Sequence, residues 1–527
     1  MSSRQLTSLI GLQVLSRGVT FALNQALFRL ASPRAFGTAA IQFELISSTI
    51  LFVSREGVRN ALLRVKRAKD GSWNAGNLSF LPLVIGVPLA LAISFGYAHR
   101  AAQETRSQAG FYGGIGVYAV AAVMELWCEP MHNQAMSEMK THVRVRAEGM
   151  GITMKTFVTF LVLLYDSRAE LDGDLALMAF AMGQLAYSLC LLVVYLSHYG
   201  FSALFPALAS DSANNGAVED GMFRLSLTMT SQSIIKHFLT EGDKLVLGSF
   251  SPLRDQGGYA IAVNYGSLIA RIIFQPIEET SRISFSRMLA PPANKEALQT
   301  ASQALITLLS IQISLSLILL VFGTAYLPVV LPVLLPRQYL STSAPHVLNA
   351  WVWYIPVLAL NGGLEAFISS VSTPRDLNRQ SWWMAGFSVI YIGAAIQLYG
   401  WHFGDTSLVY ANIINLSARI AYAVFFVSAF FSANNARSVL TWRNTLPGYS
   451  LSTACCVSWA VVRESARRLD ISGTVARSGA GISVLMNKDV LVHFATGGVF
   501  GVLCLGIWWY TEGRQHLALS RARAKTE

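Results

Sequence analysis

The sequence predicts an all-α polytopic membrane protein, and three observations predict it. Hydrophobic residues fill 53% of its 527 positions and charged residues only 13%, against about 25% charged in a soluble domain. Apolar runs of about 20 residues, the length a helix needs to cross ~30 Å of hydrocarbon, recur along the whole chain. No alternating pattern of about ten residues accompanies them, which argues against a transmembrane barrel.

Taken in order, the runs give about fourteen transmembrane helices, at 8–30, 36–55, 79–98, 111–130, 149–166, 173–198, 224–250, 256–278, 300–322, 343–370, 380–400, 406–432, 449–464 and 490–511. The first run carries Arg17 in its middle and no small-residue cleavage site, so it is expected to stay as a span. The stretch 326–335 contains Pro328 and Pro332 and is followed by Pro336. Its prolines suggest a re-entrant or interfacial piece.

The longest connection of the first half, 199–223, includes Ser210-Asp211-Ser212-Ala213-Asn214-Asn215-Gly216, a polar linker composition. It divides the chain into an N-terminal six-helix lobe (1–198), the linker (199–223), a C-terminal six-helix lobe (224–432) and two extra helices with a tail (433–527). A repeat supports this division. Gln13, Arg17, Asn24 and Ser32-Pro33 recur as Gln232, Lys236, Asp243 and Ser251-Pro252 at a constant offset of 219, and Phe52 and Glu56 recur as Phe274 and Glu278 at 222. Six spans per copy make the two lobes parallel, a transporter arrangement with the site expected at their interface, around a central cavity. Lys and Arg are richer on the side of the N-terminus, chiefly in Arg55, Arg59, Arg64, Lys66, Arg67 and Lys69, so both termini are expected in the cytosol.

Several function classes find no support. The net charge of +11 is dispersed through short loops, not gathered into a basic and aromatic strip, so no nucleic-acid partner is expected. The five cysteines fall in apolar segments without a CxxC, and the nine histidines are scattered; neither set suggests a disulfide framework or a metal site. Asp172-Gly173-Asp174 reads as a solvated acidic turn, and Gly113-Gly114-Ile115-Gly116 lies inside a span as a helix-packing motif. With no P-loop and no catalytic cluster, no enzymatic activity and no cofactor are expected.

What remains is polar chemistry inside the spans. Asn264, Ser267, Arg271, Gln275, Glu278 and Arg282 follow steps of three and four along one helix face. Gln232, Lys236, Thr240 and Asp243 do the same on the preceding span, and Gln13, Arg17, Thr20 and Asn24 on the first. An ionised side chain at the bilayer centre costs at least ~2.5–3.5 kcal/mol, so these faces must meet protein or water. Arg17, Lys236 and Arg271 lie deep with too few carboxylates to neutralise them, which points to an electropositive cavity for an anionic ligand such as a diphosphate. Arg55, Glu56, Glu278 and Arg282 lie nearer the surface as gate or ion-pair residues. Glu125 and Glu129, one turn apart, form either a cation site or ion pairs with Lys155, Arg144 or Arg146; the ion-pair reading is preferred.

The segments His237-Phe238-Leu239-Thr240-Glu241-Gly242-Asp243-Lys244 and Asn264-Tyr265-Gly266-Ser267-Leu268-Ile269-Ala270-Arg271-Ile272-Ile273-Phe274-Gln275-Pro276-Ile277-Glu278-Glu279 resemble the signature of the Rft family. So do Leu23-Asn24 with Arg29, Phe52-Val53-Ser54-Arg55-Glu56 and Glu125-Leu126-Trp127-Cys128-Glu129-Pro130. The similarity covers the chain to about residue 420 and fades after 433. It implies an endoplasmic-reticulum protein of the oligosaccharide flippase and multidrug exporter superfamily, working by alternating access. Its substrate would be the dolichol-diphosphate oligomannose used in N-glycosylation, and it would act as a monomer in the bilayer. On this reading Arg17, Asn24, Lys236, Asp243, Lys244, Asn264, Arg271 and Gln275 bind substrate. Arg55, Glu56, Glu125, Glu129, Lys155, Glu241, Glu278, Glu279 and Arg282 form the cavity or gate. A non-transporting accessory of the same pathway and an ion-coupled exporter are the alternatives.

Overall fold

The computed structural model describes residues 23–62, 76–204, 230, 234, 237–238, 240–289, 295–434, 440–479 and 481–514. Among the described residues every regular element is a helix, and eleven helices are long and apolar enough to cross a membrane. Chain packing separates two compact units, Met1–Ala260 and Ile261–Glu527.

In the first unit the spans are α1 (Pro33–Leu62), α2 (Leu78–Arg100), α3 (Phe111–Ser137), α4 (Thr141–Arg168) and α5 (Ala176–Tyr199). A shorter helix, α6 (Gly242–Phe250), follows. Residues 23–30 are also helical. Ser32 then stands in extended backbone, its hydroxyl accepting from the Ala35 amide at 3.3 Å, with Pro33 as the first helical residue of α1. A serine cap followed by proline is a strong helix start, because the cap satisfies a free amide and proline has none to satisfy. Ser251-Pro252 stands between α6 and α7 (Leu253–Met288), again with extended backbone at the serine, but here the Ser251 hydroxyl donates to Pro252 O and the helix begins one residue later, at Leu253. The core of the unit gathers Phe43, Ile50, Phe111, Ile115, Tyr118, Leu126 and Leu177. A Cβ on Gly114 would come within 2.9 Å of the Phe43 ring, so Gly113-Gly114 does serve helix packing, whereas Gly116 faces open space.

The unit boundary falls inside α7. The second unit continues with α8 (Lys295–Leu334), α9 (Ala344–Val371), α10 (Arg375–Gly400) and α11 (Thr406–Ala433). α12 (Tyr449–Arg468), α13 (Ile471–Ser478) and α14 (Lys488–Gly513) complete it. The piece 326–335 is not re-entrant. It is the end of α8, a helix of 40 residues that contains Pro328 and Pro332 and extends about 60 Å at 1.5 Å per residue. Each proline removes one helical hydrogen bond; Pro336, just past the helix end, has no N–H for Pro332 O, and the Gly481 amide donates to that carbonyl instead at 2.9 Å. Val329 is fully buried under Ile471, Val484 and Val490.

α12 is helical over 20 residues but is not among the eleven apolar candidates. It nevertheless runs antiparallel beside α14 along its length. Gly448 N donates to Glu512 at one end, Ser458 meets Cys504 midway, and Ser465 meets His493 at the other.

Candidate functional site in the first unit

Four helices of the first unit bring charged and polar groups together. α1 and α3 contribute the central ion pairs. Arg59 grips Glu129 in a bidentate pair, Nη2 to Oε1 at 2.6 Å and Nε to Oε2 at 2.7 Å. Arg55 reaches Glu129 at 3.4 Å and Glu125 at 3.5 Å. α5 extends the network: Gln184 donates to Glu125 at 2.9 Å and Ser188 donates to the same oxygen at 3.3 Å. α4 closes it, with Lys155 donating to Gln184 at 2.6 Å and lying 3.8 Å from Glu44. Glu125 and Glu129 are buried, at 4% and 1% exposure. Buried carboxylates persist when they are paired and hydrogen-bonded, and both meet that condition.

The partners differ from those the spacing suggested. Arg144 bonds Glu148 on its own helix, so the cations that neutralise Glu125 and Glu129 are Arg55 and Arg59. Lys155 makes no direct ion pair with Glu125 and is linked to it by hydrogen bonds through Gln184. The ion-pair reading of the two glutamates therefore holds with different arginines, and the cation-site reading loses its free carboxylates. Arg59, Gln184 and Glu44 were absent from the expected site. Arg59 follows Arg55 by one turn on the same face of α1, a spacing that carries the signal; its place in a basic run made it look like a topology residue.

Beside this network lies a cavity of about 380 Å³. Glu44, Ser47, Ser48, Arg55, Glu56 and Arg59 line it from α1, with Glu125, Lys155 and Gln184 opposite. Phe52, Leu51, Ile152 and Tyr187 supply its apolar surface. Glu56 accepts from Asn60 at 3.2 Å. Just outside the spans, the hydrogen bond from Lys140 holds the Glu138 carboxyl below the usual range, aided by Gln134.

At its other end α1 crosses the start of α7. A Cβ on Gly37 would lie 2.5 Å from Leu253 O, and one on Gly257 would lie 2.0 Å from Pro33 O. The two Ser-Pro-headed helices thus touch backbone to backbone through reciprocal glycines. Gln42 donates to Gln256 at 2.8 Å, and Gln256 donates to Ser251 O at 2.9 Å. One helical turn or more beyond, Thr49 bonds His237 at 2.9 Å and Phe52 stacks on the same imidazole.

The remaining expected site residues are dispersed. Arg17 and Lys236 lie outside the described residues, as do Gln13, Thr20 and Gln232. Asn24 is half-buried on the 23–30 helix. Glu241 pairs with Lys244 at 2.8 Å, and the Lys244 amide donates to Asp243. On α7, Arg271, Gln275 and Glu279 are exposed, and Asn264 is half-buried. Arg271 makes a 3.4 Å bond to Asn264 O, and Arg282 pairs with Glu278 at 2.7 Å. The single polar face expected here is interrupted. A π-helical turn at Ala270–Phe274 widens the helix, so the face formed by Asn264 and Arg271 does not run straight on to Gln275 and Arg282. In the second unit, Arg419 of α11 pairs with Glu365 of α9 in a small pocket with Gln380, Trp383 and Tyr422. Sequence reasoning missed this pair, although two opposite charges in two apolar spans were signal enough.

The fold is that of a polytopic α-helical membrane transporter. The structure is similar to that of the lipid II flippase MurJ in an inward closed conformation, with a TM-score of 0.58 at 11% identity, covering 95% of this chain and 99% of that one. A multidrug resistance MATE family transporter of the MOP superfamily, in an inward-facing conformation, aligns at a TM-score of 0.52 and 13% identity over 78% of this chain and 95% of that one. The family profile described as Rft protein matches residues 1–521. This chain belongs to that family, and the similarity continues well past residue 433, through the C-terminal helices. Relatives include the Man(5)GlcNAc(2)-PP-dolichol translocation protein RFT1 of Yarrowia lipolytica, 34% identical over 82% of this chain and 71% of that one. The proteins of the same name from Candida albicans (31%, covering 83% of each chain) and Saccharomyces cerevisiae (29%, covering 79% of this chain and 81% of that one) are also similar.

Proposed function

We propose that this chain translocates a dolichol-diphosphate-linked oligomannose across the endoplasmic-reticulum membrane for N-glycosylation. The observation that carries the reading is family membership over residues 1–521, with relatives named as translocation proteins for Man(5)GlcNAc(2)-PP-dolichol. The site supports it: a polar cavity amid membrane helices, as a hydrophilic headgroup needs while its lipid tail stays in hydrocarbon. In this proposal the chain crosses the membrane fourteen times and both termini are cytosolic. It comprises six-helix lobes at 1–198 and 224–432, a linker at 199–223 and two further spans at 433–527, and acts as a monomer by alternating access. The diphosphate is held by Arg17, Lys236 and Arg271, cations suited to phosphate oxygens, with Asn24, Asp243, Lys244, Asn264 and Gln275 around it. The gate set is Arg55, Glu56, Glu125, Glu129, Lys155, Glu241, Glu278, Glu279 and Arg282.

The test is reconstitution of the purified chain into vesicles with a leaflet-specific probe of the glycolipid. Faster transfer between leaflets than in protein-free vesicles is expected. Binding of the glycolipid without transfer would instead assign the chain an accessory role.

A further inference from the structure

The cavity of the first unit has a chemistry of its own. Its volume, about 380 Å³, falls in the range of ~300–1,000 Å³ typical of ligand pockets. Three cations face it, and each is already engaged. Arg59 holds Glu129, Arg55 bridges Glu125 and Glu129, and Lys155 donates to Gln184 beside Glu44. Three carboxylates, Glu44, Glu56 and Glu125, balance those cations on the lining itself. An entering phosphate would have to displace a buried carboxylate from Arg55 or Arg59, leaving that carboxylate unpaired, and the one cation without a close carboxylate, Lys155, has Glu44 3.8 Å away to repel the anion.

An uncharged polyol meets the opposite situation. Glu44 keeps 43% of its side chain exposed and lies no closer than 3.8 Å to Lys155. It can therefore accept hydroxyl protons, as can the half-buried Glu56. The Ser48 hydroxyl donates to Leu45 O and keeps its lone pairs for a ligand. Phe52 and Tyr187 add apolar surface to the lining for the C–H groups of a sugar.

We infer that this cavity is a sugar subsite: it takes uncharged monosaccharide units of the headgroup, while the diphosphate binds elsewhere. The inference rests on the proposed function for its ligand, and it adds a division of the headgroup between a neutral pocket and separate cations.

The experiment uses the full chain in lipid nanodiscs and two soluble probes, free Man5GlcNAc2 glycan and inorganic pyrophosphate. Two variants alter the cavity without touching the arginine–glutamate pairs: Glu44→Ala removes an acceptor, and Ser48→Leu fills space. The wild type is expected to bind the free glycan, pyrophosphate is not expected to compete with it, and each variant is expected to weaken glycan binding at least about tenfold, Glu44→Ala by losing one good hydrogen bond to a charged group and Ser48→Leu by occupying the space of the sugar. Both variants should keep the wild-type thermal transition. Wild-type glycan affinity in both folded variants, displacement of the glycan by pyrophosphate, or no glycan binding by the wild type would each overturn the inference. Failure of the vesicle transfer assay with glycan binding intact would strike the proposed function and leave the subsite standing.

Discussion

α1 and α7 share a repeated sequence pattern at Phe52/Phe274 and Glu56/Glu278, yet the charges around it are used differently. On α1, Arg55 and Arg59 reach across to Glu125 and Glu129 of α3, and the network continues into α4 and α5. On α7, Glu278 pairs with Arg282 one turn along the same helix, and Arg271 touches a carbonyl of its own helix. Cross-helix pairs fix how helices pack. Pairs within one helix fix nothing beyond that helix, and Arg271 stays exposed. The comparison separates charges that hold the unit together from Arg271, the exposed charge proposed above to meet substrate.

The sharpest way to break this distinction is Glu129→Gln. It strands Arg59 and half of the Arg55 contacts in a buried site, and losing one partner of a buried pair costs about 3–5 kcal/mol. A large drop in the thermal transition and in folded yield is expected. The double change Arg59→Leu with Glu129→Leu removes both charges and should recover part of the loss, which a double-mutant cycle would read as strong coupling. Gly257→Val comes next. Its Cβ would lie 2.0 Å from Pro33 O, and overpacking of this kind costs about 1–3 kcal/mol. Retained stability would show that the α1–α7 crossing yields easily. The smallest effect belongs to Arg282→Ala. Its pair with Glu278 is half-exposed and lies within one helix, so the stability change should stay within about 1 kcal/mol.

Much of this was legible in the sequence, and the gaps have physical causes. The places of the described spans follow from apolar runs, because hydrophobicity is a local property, but several helices run well beyond those runs, as 300–322 does within Lys295–Leu334. The proline-rich end of α8 was misread because proline breaks a lone helix, whereas here α13 and the segment at Gly481 cover the freed backbone. Glu125 and Glu129 were recognised as intramembrane carboxylates. Their partners were not, since choosing between Arg55 and Arg144 requires knowing which helices pack. Glu365 and Arg419 sit 54 residues apart, and only the packing of α9 on α11 makes them a pair. The π-turn at Ala270–Phe274 has no sequence signature, so a face drawn at 3.6 residues per turn runs through it unbroken.

The account turns on Arg271 meeting substrate while the α1–α3 network holds structure, and one variant tests this directly. Arg271→Ala, reconstituted in vesicles beside the wild type, should fold to the same level with the same thermal transition. Its glycolipid transfer should fall about tenfold or more, the loss of a charge-assisted bond worth ~1.5–3 kcal/mol. Transfer at the wild-type rate per folded molecule would contradict the account.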